Sequence, residues 1–114
     1  MPTVFRIEHP ETKRGPYMNA WGRDDAVEQM VDRHNLECVV HPGPHNDNGI
    51  ERHIENEEFC GFSGLWQLCK WFSGVEILML DSFGYEITVI EDVTITATGE
   101  KQVLFVRETQ NETV

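Results

Sequence analysis

Pro42 and Pro44, separated only by Gly43, lie near the middle of the chain and forbid a regular element there. Proline lacks the amide that a helix interior or a central strand requires. The run His41-Pro42-Gly43-Pro44-His45-Asn46-Asp47-Asn48-Gly49 is also poor in apolar residues. From Val40 to Asn56 the chain therefore reads as an ordered but irregular loop, a length of loop that is often functional. Any fold has to be assembled from the patterned stretches on either side of it.

Before the loop, Thr3 to His9 interleaves β-branched and aromatic residues with Arg6 and Glu8, the pattern of a strand that stops at Pro10. Lys13-Arg14-Gly15-Pro16 is turn chemistry. A helix is predicted from about Asp24 to His34, because Val27, Met30, Val31 and His34 recur at helical spacing behind two aspartates. After the loop, Phe59-Cys60-Gly61-Phe62 is a short apolar run, and Ser63 is placed to cap a helix. That helix carries the stripe Leu65, Leu68, Cys69 and Phe72, with Gly74 placed to end it. A second short helix, Val75 to Ser82, stops at Gly84. Three strands follow: Tyr85 to Glu91, Val93 to Ala97, and Gln102 to Arg107. This order predicts an α+β fold with a mainly antiparallel sheet and two to three short helices. Residues 1–108 form one compact domain in this reading, and 109–114 a polar tail.

The chain has 114 residues, enough for one hydrophobic core but not for two independent ones. Its net charge is −11, with 9 Lys and Arg against 20 Asp and Glu. Nucleic acid and anionic membrane are excluded as direct partners, since both demand a cationic face. A basic macromolecule is favoured instead. The acids are spread along the chain rather than gathered in a tail. Three cysteines, no apolar leader and no run of about 18 apolar residues fit a cytoplasmic protein with free thiols.

The histidines and cysteines raise metal binding. Cys38, His41 and His45 have a Cys-x2-His-x3-His spacing, with Asp47, His53 and Cys60 beyond it. Zinc takes thiolate and imidazole ligands in tetrahedral number, but no second ligand pair completes the set. Cys60 and Cys69 fall in apolar surroundings, where a thiol is inert. Glu55, Glu57 and Glu58 read as a solvated acidic face. Phosphate-loop, dinucleotide and zinc-protease motifs are absent, so no resident cofactor is expected. Trp21, Trp66 and Trp71 offer an aromatic contact face, with a homodimer as one outcome.

Arg6-Ile7-Glu8-His9-Pro10-Glu11-Thr12 and Gly15-Pro16-Tyr17 open a resemblance that spans nearly the whole chain. It continues through His41-Pro42-Gly43-Pro44, Asp47, Gly49-Ile50, Cys60-Gly61-Phe62-Ser63, Gln67-Leu68, Trp71-Phe72 and Gln102-Val103-Leu104-Phe105. These segments resemble a family of small bacteriophage and prophage proteins. The resemblance, with the acidity, implies a host-cell protein that binds and inhibits or modulates a host defence system, as an anti-CRISPR does. Its partner would be a host protein with a basic surface.

A more distant likeness is to ADP-ribosyltransferases. Arg6 on the first strand, Ser63 before a helix and Glu100-Lys101-Gln102-Val103-Leu104-Phe105 on a late strand resemble that family's three elements. The likeness implies an NAD site in which Arg6 holds a phosphate or ribose. Gln102 stands where the family carries its catalytic glutamate, and an amide cannot supply that charge. A ligand cleft of this kind would draw on Arg6, Tyr17, His41, Asp47, Ser63 and Gln102.

Overall fold

The computed structural model describes residues 3–17, 25–37 and 40–107. Cys38, Trp21, the predicted helix start at Asp24 and the 109–114 tail lie outside them. The elements are β1 (Thr3–Glu8), α1 (Asp25–Leu36), β2 (Glu58–Gly61), α2 (Leu65–Trp71), α3 (Gly74–Ser82), β3 (Glu86–Glu91), β4 (Thr94–Thr98) and β5 (Val103–Val106). The α+β expectation is met, with every strand pairing antiparallel. The strands divide into two sheets, β1–β3 and β2–β5–β4, rather than one. A bridge between Phe5 and Phe62 joins them, each residue accepting from the other's amide at 2.8 Å.

Strand alternation explains how one small chain builds two apolar clusters around the β1–β3 pair. Successive side chains on a strand point to opposite faces. Phe5 and Ile7 accordingly join Val27, Met30, Leu68, Phe72 and Leu80 on one face. Val4 and Ile90 join Val93, Val103 and Phe105 on the other. Both clusters rest on the shared sheet, so β1 is the partition of the molecule. Its approach to β2 is close. A Cβ added at Gly61 would collide with Val4 and stand 3.0 Å from the Phe105 ring and 3.2 Å from the Phe5 carbonyl.

The run at Phe59 is a strand, β2, whose four residues are too few to show a period. Three local expectations need correction. Gly74 does not end α2; it begins α3, and Ser73 caps it with Glu76 in a reciprocal capping box. Ser63 is not the cap of α2, whose N-cap is Gly64. The buried face of α2 is Gln67, Leu68 and Trp71, followed by Phe72, so Leu65 and Cys69 are exposed. Trp71 decides that rotation, because its indole is drawn inward to a hydrogen-bond partner described below.

The long segment is tied down where it contains Asp47, at 1% exposure. Its carboxylate accepts backbone amides from Glu100, Lys101 and Gln102 at 3.1–3.2 Å. A second anchor follows at Glu58, which is buried rather than solvated. Arg52 grips it with two hydrogen bonds of 2.9 and 2.7 Å, and the Glu55 amide adds a third. These bonds hold the Glu58 pKa down at about 2.

Candidate functional site

A pocket of about 260 Å³ opens where β1, the 15–17 turn, the end of α1, the 41–44 segment and α2 meet. Four of the six ligand candidates line it: Arg6, Tyr17, His41 and Gln102. Asp47 and Ser63 do not. Asp47 is occupied with the 100–102 amides, and exposed Ser63 donates its amide and hydroxyl to Gln67 Oε1. His34, Cys60 and Trp71 line the pocket as well, although the sequence reading assigned them no role there.

One wall is a directional hydrogen-bond chain. Trp71 Nε1–H donates to the Tyr17 hydroxyl at 2.7 Å. Indole can only donate, so the Tyr17 oxygen accepts there and its own proton is free for His34 Nδ1, 2.5 Å away. With Nδ1 accepting, the proton of neutral His34 sits on Nε2 and faces Glu76 Oε2 at 3.1 Å. Glu76 Oε1 meanwhile accepts the Ser73 amide of the capping box. One carboxylate thus caps α3 and orients a histidine of α1.

The titration behaviour follows from the packing. Burial lowers the His34 pKa, and electrostatic repulsion from His41, whose ring is stacked on it at 3.9 Å and 3°, adds to this. Glu76 opposes both without reversing them. Burial likewise pushes the Tyr17 phenol up. For Glu76 burial works against ionisation, but the Ser73 amide, His34 and Arg33 outweigh it and keep its pKa low. His41 is fixed from the other side by its Nε2, which lies 2.7 Å from the Trp71 carbonyl.

Arg6, which also lines the pocket, belongs to a buried charge cluster behind it. Glu8, 1% exposed, takes Arg6 Nε at 2.9 Å and also Arg107. Both guanidiniums lie over the Phe59 ring, at 5.2 and 4.8 Å. Two cations around one carboxylate leave a local excess of positive charge beside the pocket. Arg6 also donates to the Cys60 and Lys13 carbonyls. Gly15 has no side chain to cover Arg6 Nη2 from 3.5 Å away.

Two polar groups of the pocket, Cys60 and Gln102, are held in unreactive states. Burial raises the Cys60 thiol to about 11, so it is no thiolate at neutral pH. The Gln102 amide is committed to the Pro42 carbonyl at 2.8 Å. The metal expectation finds its members apart: His41 stacks on His34, whereas exposed His45 stacks on His53. Among the described residues no group of three or more His, Cys, Asp or Glu could hold a metal.

The outer surface carries many carboxylates without an ion-pair partner among the described residues. Arg6, Arg33, Arg52 and Arg107 are engaged in ion pairs, that of Arg33 at the surface, and Lys70 lies over Trp66. The carboxylates they neutralise are Glu8, Glu58 and Glu76. Glu28 and Asp32 on α1, Glu51 and Glu57 in the long segment, and Glu86, Glu91 and Asp92 at β3 are exposed. None of these has an ion-pair partner among the described residues. No helix among the described residues is long and apolar enough to cross a membrane.

Comparison with curated proteins and with solved structures gives no match. Nothing in the comparisons supports the ADP-ribosyltransferase likeness. The phage likeness is supported: the family described as "Bacteriophage T4 Y00F protein" matches residues 1–113. A match over that span places the chain within a bacteriophage family, and it belongs to the Bacteriophage T4 Y00F protein family.

Proposed function

We propose that this phage protein is a non-catalytic modulator that binds a basic protein of the infected cell, such as a component of a defence system, in the host cytoplasm. The observation that carries this reading is the set of unpaired carboxylates on the surface. Four of the eight described Lys and Arg residues are held in ion pairs, while Glu28, Asp32, Glu51, Glu57, Glu86, Glu91 and Asp92 face solvent unpaired among the described residues. Such a surface speeds encounter with a cationic patch and can take the place of phosphates in a nucleic-acid channel. Capture from host lysate tests it. A basic protein should be retained at low salt and released at high salt; retention that ignores salt would count against the reading.

A second reading, a small-ligand site, is favoured by the convergence of Arg6, Tyr17, His41 and Gln102 on one pocket. Aromatic walls and a local positive excess suit a small planar anion. A whole dinucleotide is too large, because about 260 Å³ lies below the roughly 300–1,000 Å³ of drug-sized ligand pockets. Calorimetric titration with NAD and with nicotinate separates these cases. Heat with nicotinate alone supports the pocket; heat with neither removes it.

A further inference from the structure

β3 is the exposed strand of the two-stranded sheet. Among the described residues it is paired along one edge, with β1. An unpaired edge displays a row of backbone donors and acceptors that an incoming strand can satisfy. The other edges are blunted. The second edge of β1 is bridged by Phe62, β4 carries an irregularity between Ile95 and Ala97, and β2 is only four residues long. β3 spans six residues, Glu-Ile-Thr-Val-Ile-Glu, with neither proline nor lysine.

Its side chains are incompletely covered. Ile87 is 40% exposed and Val89 52% exposed, although their register partners Ile7 and Phe5 belong to the first apolar cluster. That cluster is therefore left open beside β3, and a further strand would close it. Carboxylates mark the ends: Glu86 at one, Glu91 and Asp92 at the other, all exposed.

These charges choose the occupant. An in-register antiparallel pair of two β3 strands would set Glu86 against Glu91 of the second copy, and like charges directly opposite are destabilising. A strand with apolar residues at its centre and Lys or Arg at its ends has the reverse property. We infer that β3 is the docking edge of this protein, adding to its sheet an extended, basic-ended segment of a partner protein. This deepens the basic-partner reading above and rests on it.

The test uses the full chain and a blocked peptide, Lys-Val-Thr-Val-Thr-Val-Lys, followed by hydrogen exchange at the amides of residues 86–91. Peptide binding should slow exchange in β3 by about tenfold or more relative to the free protein. The same peptide with alternate amides methylated keeps its charge but cannot complete the ladder, and should give no protection. The double variant Glu86→Lys/Glu91→Lys, at two exposed positions, should keep its Tm and lose the protection. Equal binding of the methylated peptide, or protection confined to other elements, overturns the inference. If a basic host protein is captured in a salt-sensitive way while β3 stays unprotected, the strand edge fails and the basic-partner reading stands. If no salt-sensitive partner is captured, that reading fails too.

Discussion

Asp47 is the residue on which the long irregular segment depends. Removing its carboxylate strips the acceptor from the backbone amides of Lys101 and Gln102 and leaves that of Glu100 only the Asn48 carbonyl at 2.8 Å. Asp47→Ala should cost about 3 kcal/mol in urea unfolding, the loss expected for charge-assisted bonds left unmade in a buried site. Its role was not legible in the sequence: a polar Asn/Asp-rich loop gives no sign that one carboxylate reaches residues more than fifty positions away. The Tyr17–His34–Trp71 chain was hidden for the same reason, since its members come from a turn and two helices. Tyr17→Phe removes both the donor to His34 and the acceptor for Trp71, and should cost about 1–2 kcal/mol. Acid should act here too. The folded pKa of His34 lies below its ordinary 6.5, through burial first and His41 second. Protonation then favours the unfolded chain, so this stability is present above about pH 6.5 and lost as pH falls below it. The Glu58 contribution obeys the same sign in a lower window, present above 4.5 and lost as pH approaches about 2. Urea midpoints measured from neutral to mildly acidic pH should fall, and His34→Gln should flatten that part of the profile.

At the scale of elements, periodicity carried most of the fold, and its failures have identifiable causes. Helix α1 was legible because Val27, Met30 and His34 are all buried on the predicted stripe. Helix α2 was rotated because Gln67 and Trp71, polar-tipped residues that count weakly as core, bury their bodies while bonding the Glu100 carbonyl and Tyr17. Glu58 misled in the opposite sense, since an acidic run looks solvated until Arg52 is brought to one member. Ser73 rather than Ser63 is the capping serine, and Ser-Gly-Val-Glu carries the spacing of a capping box. Ser73→Ala should therefore lower stability by about 1 kcal/mol in thermal or urea unfolding. Gly61 is the tightest sheet-to-sheet contact. Gly61→Ala should cost about 1–3 kcal/mol as Val4 and the Phe105 ring are forced apart, whereas an alanine at Gly74, which has open space around it, should cost far less.

For the whole molecule, the buried carboxylates are matched, Glu8 by Arg6 and Arg107, Glu58 by Arg52 and Asp47 by backbone amides, while many of the remaining acids stay outside without an ion-pair partner among the described residues. Arg6 and Arg107 are the clearest case: they meet over Phe59 to neutralise Glu8. Composition showed the size of the deficit, but not which charges would be paired, because pairing is set by tertiary contacts. The pocket beside this cluster is a by-product of the same packing and a candidate ligand site in its own right. The central claim concerns the outside, and salt tests it most directly. The affinity of the captured host partner should be measured across ionic strength from about 0.05 to 0.5 M, a range in which screening between exposed charges becomes nearly complete. Affinity that falls at least about tenfold is the predicted result. Affinity unchanged across that range would contradict the account.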